Sequence, residues 1–146
     1  MRFDRGQVAS TRLAMTESAQ TPDIRRIAVI GGGGLMGHGI VAACLMGHPN
    51  AEIRLVSRRK ESLEHGMKLL ESGPFGLAGL VKKGKLSEQA LEDALARVRP
   101  TLDLAAGVRD AGLVFETVPE VVSAKHAVLV EAEAAAPEAA IFATNT

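Results

Sequence analysis

The chain has 146 residues, of which 47% are hydrophobic and 23% are charged. This length and composition fit one globular domain with a single core. The 17 basic and 17 acidic side chains give a formal net charge of zero, so no overall field favours nucleic acid or a membrane surface. The single cysteine excludes a disulfide framework and a cysteine-based zinc site. We expect a cytoplasmic protein that binds no nucleic acid, membrane or metal.

Residues 1–24 mix charged, small polar and apolar side chains without helical or strand periodicity. We therefore expect a disordered N-terminal tail. Either Met1 or Met15 can be the natural start. The remaining residues, 25–146, are expected to form the folded domain.

From residue 25 onward, short apolar runs alternate with longer helical stretches, which is typical of βαβ units around a parallel sheet. Four runs predict strands, at 27–30, 52–57, 113–116 and 140–144. Three periodic stretches predict helices, at 35–46, 61–72 and 121–136. A fourth helix opens after Ser87, a good capping residue, with Leu91, Leu95 and Val98 at helical spacing. The predicted fold class is α/β, a Rossmann-type doubly wound parallel sheet that is incomplete at its C-terminal end.

A glycine-rich turn joins the first predicted strand to the first helix in the pattern GxGxxG. Its first glycine permits a tight turn, its second lets the backbone approach a pyrophosphate, and its third lets helix and strand pack closely. Free amides at the helix start would bind the anion, helped by the helix dipole. Gly31 gives the run one glycine more than the motif needs. The predicted dinucleotide-binding residues here are Gly32, Gly34, Leu35, Met36 and Gly37.

The end of the second predicted strand is basic. Ser57 lies 20 residues past Gly37, where NAD-binding domains commonly carry an acid for the ribose hydroxyls. Here Arg58 and Arg59 follow the serine, and no acid is present. A hydroxyl and guanidinium groups can bind the 2′-phosphate of NADP, or the segment can be a solvated basic turn. The cofactor is therefore predicted as NAD or NADP, with contacts from Ser57 and Arg58.

The segment 79–85 matches most of a phosphate-binding P-loop. Leu86, however, replaces the Ser or Thr that ligates magnesium, and no buried strand precedes the segment. A nucleotide triphosphatase is thereby disfavoured. Lys82, Lys83 and Lys85 remain as a local basic cluster, and most such clusters are solvated.

Further motifs follow the glycine loop in a recognisable order. They are the lysine-bearing hairpin, the string Val114-Phe-Glu-Thr-Val-Pro-Glu120, then Lys125, and finally Ala143-Thr-Asn-Thr146. Over about residues 25–146 the chain resembles the N-terminal NAD-binding domain of the 3-hydroxyacyl-CoA dehydrogenases. That family oxidises 3-hydroxyacyl-CoA to 3-oxoacyl-CoA with NAD, in fatty acid metabolism. The resemblance implies a helical hairpin inserted after the second strand.

The resemblance also implies roles for individual residues. Glu120 and Lys125 match family positions that lie against the cofactor, and Asn145 matches an asparagine near the nicotinamide. The lysine cluster 82–85 matches the hairpin that contacts the CoA nucleotide, so Lys82, Lys83 and Lys85 are candidate substrate contacts.

The chain departs from the family pattern in two respects. The family's Asp after the second strand is absent, which puts the NAD preference in question. The sequence ends at Asn145-Thr146, one residue before the family's Ser, without its later His and Glu or its helical domain. None of the four histidines matches the catalytic one, and no catalytic residue is assigned. We expect a truncated chain whose C-terminal catalytic and dimerisation domain is absent, and which takes acyl-CoA and forms a homodimer only at full length.

The function expected from this resemblance is that of the NAD(P)-binding domain of a 3-hydroxyacyl-CoA dehydrogenase, inactive as a fragment. One alternative is a non-catalytic cofactor-binding remnant. Another is a relative that acts on gulonate or on 3-hydroxybutyryl-CoA.

Overall fold

The computed structural model describes residues 24–146, so all but the last residue of the expected tail at 1–24 lies outside the described part. Five parallel strands form one sheet in the order β3-β2-β1-β4-β5. The strands are β1 (Arg26–Ile30), β2 (Glu52–Val56), β3 (Val98–Thr101), β4 (Leu113–Glu116) and β5 (Ile141–Thr144). The helices are α1 (Leu35–Gly47), α2 (Lys60–Ser72), α3 (Leu77–Lys82), α4 (Glu88–Leu95), α5 (Leu104–Val108) and α6 (Val122–Ala135).

The sheet is covered by hydrophobic side chains on both faces, because successive residues of a strand point to opposite sides. Alternate residues of β1 accordingly enter two separate core clusters. One cluster joins Ile27 and Val29 to α1 and α2, and the other joins Ala28 and Ile30 to α5 and α6. This arrangement and the strand order confirm the predicted Rossmann-type α/β fold. The helices α2, α3 and α4 between β2 and β3 confirm a helical insertion after the second strand.

The region from Val98 to Val108 differs from the prediction. Val98 was expected to continue a helix, but that helix ends at Leu95 and Val98 begins β3. The strand is short and contains Pro100, which cannot donate a hydrogen bond to a sheet ladder. The proline is tolerated because β3 lies at the edge of the sheet and pairs only with β2. The prediction for Ser87 is confirmed, since its side chain accepts a hydrogen bond from the amide of Ala90 at 3.1 Å.

Within residues 24–146, no helix combines the length and the apolar character that crossing a bilayer requires. The helices instead pack on the two faces of the sheet.

One arginine holds the end of α1 to the strand that follows it. The guanidinium of Arg97 donates through Nη2 to the carbonyl oxygen of Leu45 at 2.9 Å. Its Nη1 donates to the carbonyl oxygens of His48 at 3.0 Å and Ala51 at 2.9 Å. Since the last carbonyls of a helix have no partner within the helix, this side chain satisfies groups that would otherwise need water.

Replacing Arg97 by Met should lower the free energy of unfolding by about 2–3 kcal/mol, because partly buried carbonyls lose a charged donor while the aliphatic packing is kept. Urea denaturation measures the change. Arg99→Met is the matched control. The Arg99 side chain is 57% exposed, and its loss should cost less than about 0.5 kcal/mol. Equal losses in the two variants would contradict the role given to Arg97.

Candidate dinucleotide-binding site

The loop between β1 and α1 is glycine-rich because neighbouring elements approach its backbone closely. Gly31 has a φ of +83°, a conformation that L side chains rarely adopt. A Cβ on Gly31 would also lie 2.9 Å from the backbone of Thr117 and Val118, just after β4. A Cβ on Gly32 would collide with the side chain of Leu55 in β2. Gly31, the glycine that the motif does not require, is therefore needed for its backbone conformation and for the close approach of the segment after β4.

The next contacts bring the two helices onto the loop. A Cβ on Gly33 would collide with the carbonyl oxygen of Ser62 in α2. A Cβ on Gly37 would collide with the Cα of Gly32. The last glycine of the motif thus permits the close packing of α1 on the loop that the pattern predicts.

Gly34 differs from these glycines, because the space beside it is open. The nearest atom to a Cβ built there is the carbonyl oxygen of Gly31, at 3.7 Å. Gly34 is the N-cap of α1. In the part of the chain that the structure describes, the amides of Leu35, Met36 and Gly37 have no backbone acceptor. The loop therefore offers free N–H groups at a helix N-terminus beside a position without a side chain, which is the arrangement that binds phosphate groups.

An open cleft of about 1140 Å³ lies over the carboxyl ends of the strands. Strand order reverses between β1 and β4, and ligands of open α/β sheets bind at such a point. The cleft brings together residues from the loop, the end of β2 and the segments after β4 and β5. Of the predicted site residues, those that line it are Gly34, Leu35, Met36, Ser57, Arg58, Glu120 and Asn145.

The other predicted site residues do not line the cleft. Gly32 and Gly37 pack within the loop, and Lys125 lies behind the cleft wall with a side chain 9% exposed. The three lysines of the hairpin are exposed at the end of α3 and in the following turn, outside the lining of the cleft, at Lys82, Lys83 and Lys85.

A buried carboxylate, which sequence reasoning did not assign to the site, ends β4. The side chain of Glu116 is fully buried. Its Oε1 accepts from the amide of Val118 at 2.6 Å, and its Oε2 accepts from the hydroxyl of Thr144 at 2.8 Å. Lys125 Nζ lies 3.0 Å from Oε2. The sequence shows an acid at the end of an otherwise apolar strand, which is a signal for a functional residue. Its side-chain partners, however, lie in α6 and β5, which are distant along the chain.

Lys125 connects this carboxylate to the cleft. Besides Glu116, its Nζ donates to Oδ1 of Asn145 at 2.9 Å and lies 3.3 Å from Oε2 of Glu120. An ammonium group has three N–H donors, and four acceptor atoms surround Nζ: both oxygens of Glu116, at 3.0 and 3.3 Å, Oδ1 of Asn145 and Oε2 of Glu120. The resemblance implied a place at the cofactor for each of Glu120, Lys125 and Asn145, and the structure brings the three side chains into contact through Lys125.

The ionisation of the pair follows from these contacts. Burial raises the pKa of the Glu116 carboxyl, but hydrogen bonds from Thr144, Lys125 and Val118 outweigh it and the pKa lies below its ordinary value. Desolvation lowers the pKa of Lys125, but its hydrogen bonds to Glu116 and Glu120 and their charges raise it above the ordinary value. Both groups are therefore charged at neutral pH.

A model of the 3-hydroxyacyl-CoA dehydrogenase NAD-binding domain matches residues 26–146. The chain therefore belongs to this family of NAD-binding domains, which is part of an oxidoreductase family. It is 34% identical over 123 residues to a peroxisomal fatty acid beta-oxidation multifunctional protein of Oryza sativa subsp. japonica. It is 35% identical over 129 residues to the fatty acid oxidation complex subunit alpha of Pseudomonas savastanoi pv. phaseolicola.

Solved structures show the same likeness. The (S)-3-hydroxybutyryl-CoA dehydrogenase of Ralstonia eutropha superposes with a TM-score of 0.74 at 28% identity, and the match covers 84% of this chain and 41% of that one. The two curated relatives are matched over 84% and 88% of this chain but over only 16% and 17% of their own length. The chain thus spans a small part of the proteins it resembles.

The pKa of Glu116 gives a prediction for stability. Because the folded-state pKa is depressed, the contribution of Glu116 is present above the unfolded-state pKa of about 4.3 and is lost as the pH falls through the folded-state value. Wild type should therefore exceed Glu116→Gln in stability most at about pH 7, and the difference should shrink below about pH 4. Urea denaturation across this range measures it. A difference that does not change with pH would mean that Glu116 is not ionised in the fold.

Proposed function

We propose that residues 25–146 bind NAD(H) or NADP(H) in the cleft and serve a dehydrogenase that oxidises 3-hydroxyacyl-CoA. The observation that carries this proposal is the open position at Gly34, beside the free amides of the first turn of α1. The family supports the dinucleotide, and the names of the relatives support the acyl-CoA class.

The residues of the cleft fit a dinucleotide from end to end. The amides of Leu35 and Met36 would bind the pyrophosphate, favoured by the helix dipole. Ser57 and Arg58 would hold the adenosine ribose, and Asn145 would lie at the nicotinamide end. When bound, the nicotinamide accepts a hydride from the substrate carbon. The role of this chain is to bind and orient the cofactor.

The base that removes the substrate's hydroxyl proton has no matching residue among positions 1–146. In our proposal a histidine, oriented by a glutamate, comes from outside these positions. Lys82, Lys83 and Lys85 are exposed cations suited to the phosphates of CoA. A homodimer of the complete enzyme and a cytoplasmic location stay predictions.

The choice between NAD and NADP depends on the end of β2. Ser57, Arg58 and Arg59 all line the cleft, and both arginines are exposed. Neither guanidinium forms an ion pair with a described residue. Both are therefore available to a 2′-phosphate, and position 57 carries no acid to repel it. We propose that NADP(H) binds at least as well as NAD(H).

The variant Ser57→Asp/Arg58→Ala should reverse this preference, because it adds an acceptor for the ribose hydroxyls and removes a phosphate partner. A charge-assisted hydrogen bond of about 1.5–3 kcal/mol corresponds to about ten- to a hundredfold in affinity, and salt reduces the effect at this exposed site. Calorimetric titration with both cofactors measures the ratio. Arg109→Ala, at an exposed arginine outside the cleft lining, is the control. A clear NAD preference in wild type that salt does not change would mean that the arginines form only a solvated turn.

Gly34→Val should abolish dinucleotide binding while the chain stays folded. The new side chain has room in the fold, at a backbone position with φ of −88° that valine can adopt, but it would occupy the space that the pyrophosphate needs. Gly79→Val adds the same side chain on α3, where nothing lies within 4 Å of a Cβ, and should keep wild-type affinity. Circular dichroism checks the fold and calorimetry the binding. Affinity of Gly34→Val within a factor of two of wild type would refute the site.

A further inference from the structure

His38 is a buried histidine at the end of the first turn of α1. Its side chain is fully buried, and the ring of Phe75, from the segment between α2 and α3, lies against it with 6.0 Å between the ring centroids. Its Nδ1 lies 3.0 Å from the carbonyl oxygen of Gly34. Its Nε2 is buried and has no hydrogen-bond partner within residues 24–146. A buried polar atom without a partner destabilises a fold, so we looked for what His38 contributes at this position.

The contact with Gly34 fixes the tautomer of the ring. A carbonyl oxygen only accepts, so Nδ1 must carry the proton and donate it. In the neutral ring Nε2 is then a bare acceptor, and residues 24–146 supply no donor for it. His38 therefore makes one side-chain hydrogen bond, to Gly34, and leaves its second nitrogen unsatisfied.

Gly34, which accepts this bond, begins α1 without a side-chain cap. Ser87 at the start of α4 and Asp103 at the start of α5 each accept from an amide of the first turn, at 3.1 and 2.9 Å. Such a cap at α1 would occupy an amide that a phosphate group needs. Glycine leaves the amides free, but it also gives the backbone more conformational freedom than any other residue. The peptide that follows Gly34 must therefore be held by another group.

His38 holds this peptide from inside the helix. The carbonyl oxygen of Gly34 accepts from the backbone amide of His38 at 3.1 Å and from its Nδ1 at 3.0 Å. This carbonyl and the N–H of Leu35 belong to one trans peptide, in which they point in opposite directions. Since the carbonyl faces His38, the N–H of Leu35 faces away from the helix, at the cleft that Gly34 and Leu35 line.

We propose that His38 is a positioning residue for the phosphate-binding peptide between Gly34 and Leu35. Its Nδ1–H fixes the Gly34 carbonyl, and the Leu35 amide is thereby presented to the pyrophosphate of the ligand. This inference rests on the proposed function, in which a dinucleotide occupies the cleft. It also accounts for the unsatisfied Nε2, because ligand affinity and stability make opposite demands on position 38.

The test measures both properties in variants of the 146-residue chain. NADH and ADP-ribose share the pyrophosphate, so His38→Leu should weaken both about fivefold, which corresponds to about 1 kcal/mol. The same variant should unfold at a urea concentration equal to or above that of wild type, because the unsatisfied nitrogen is removed. Calorimetry measures the affinities. His126→Leu, on the exposed side of α6 and outside the cleft lining, is the matched control and should change neither affinity.

His38→Asn tests for rescue by a residue that keeps the donor. Its amide nitrogen can take the place of Nδ1 and donate to Gly34. Both ligands should bind within about twofold of wild type, although the smaller side chain leaves a cavity and lowers the urea midpoint. Leucine should thus give the more stable and weaker-binding variant, and asparagine the less stable and tighter-binding one. A histidine with only a structural role would give affinities that follow the stabilities.

A measurement on wild type keeps the inference testable if a variant does not fold. The ¹⁵N spectrum of the His38 ring should show the proton on Nδ1. A proton on Nε2 alone, wild-type affinity in His38→Leu, or equal losses in the Leu and Asn variants would each overturn the positioning role while the dinucleotide site stands. Failure of wild type to bind either ligand would overturn the proposed function, and this inference with it.

Discussion

Four segments of the domain pack closely against one short loop, the glycine-rich turn between β1 and α1. Gly31 meets the backbone after β4, Gly32 meets β2, Gly33 meets α2, and Gly37 closes α1 back onto the loop. A side chain at any of these positions would push two elements apart. The loop is therefore a packing junction at the centre of the sheet. Gly31, Gly33 and Gly34 line the cleft, and of the five glycines Gly34 alone has room for a Cβ.

A second organising feature is the buried charge at the end of β4. Burying a carboxylate is costly unless it is paired and its oxygens are hydrogen-bonded. Glu116 meets this condition through partners from the segment after β4, from α6 and from β5. The same contacts that make the charge tolerable also place Asn145 at the cleft. The interactions that stabilise the fold at the end of β4 therefore also shape one wall of the cleft.

Much of this architecture could be predicted from local patterns. The β1–loop–α1 unit, β2, β4 and α6 follow from apolar periodicity, and the Ser87 cap from its residue type. The edge strand β3 could not, because Val98 also fits helical spacing and Pro100 argues against a strand. The reason for Gly31 and the role of Glu116 depend on contacts between residues distant in sequence, up to 28 apart for Glu116, which no local pattern encodes.

We propose that the cleft over the carboxyl ends of the strands holds a dinucleotide, with its pyrophosphate at the start of α1. The most direct measurement is an amide chemical-shift map of the ¹⁵N-labelled chain titrated with NADH. We expect the largest changes on residues 31–37, on 57–59 and on Asn145. Changes confined to the hairpin at 82–85, or spread without relation to the cleft, would contradict it.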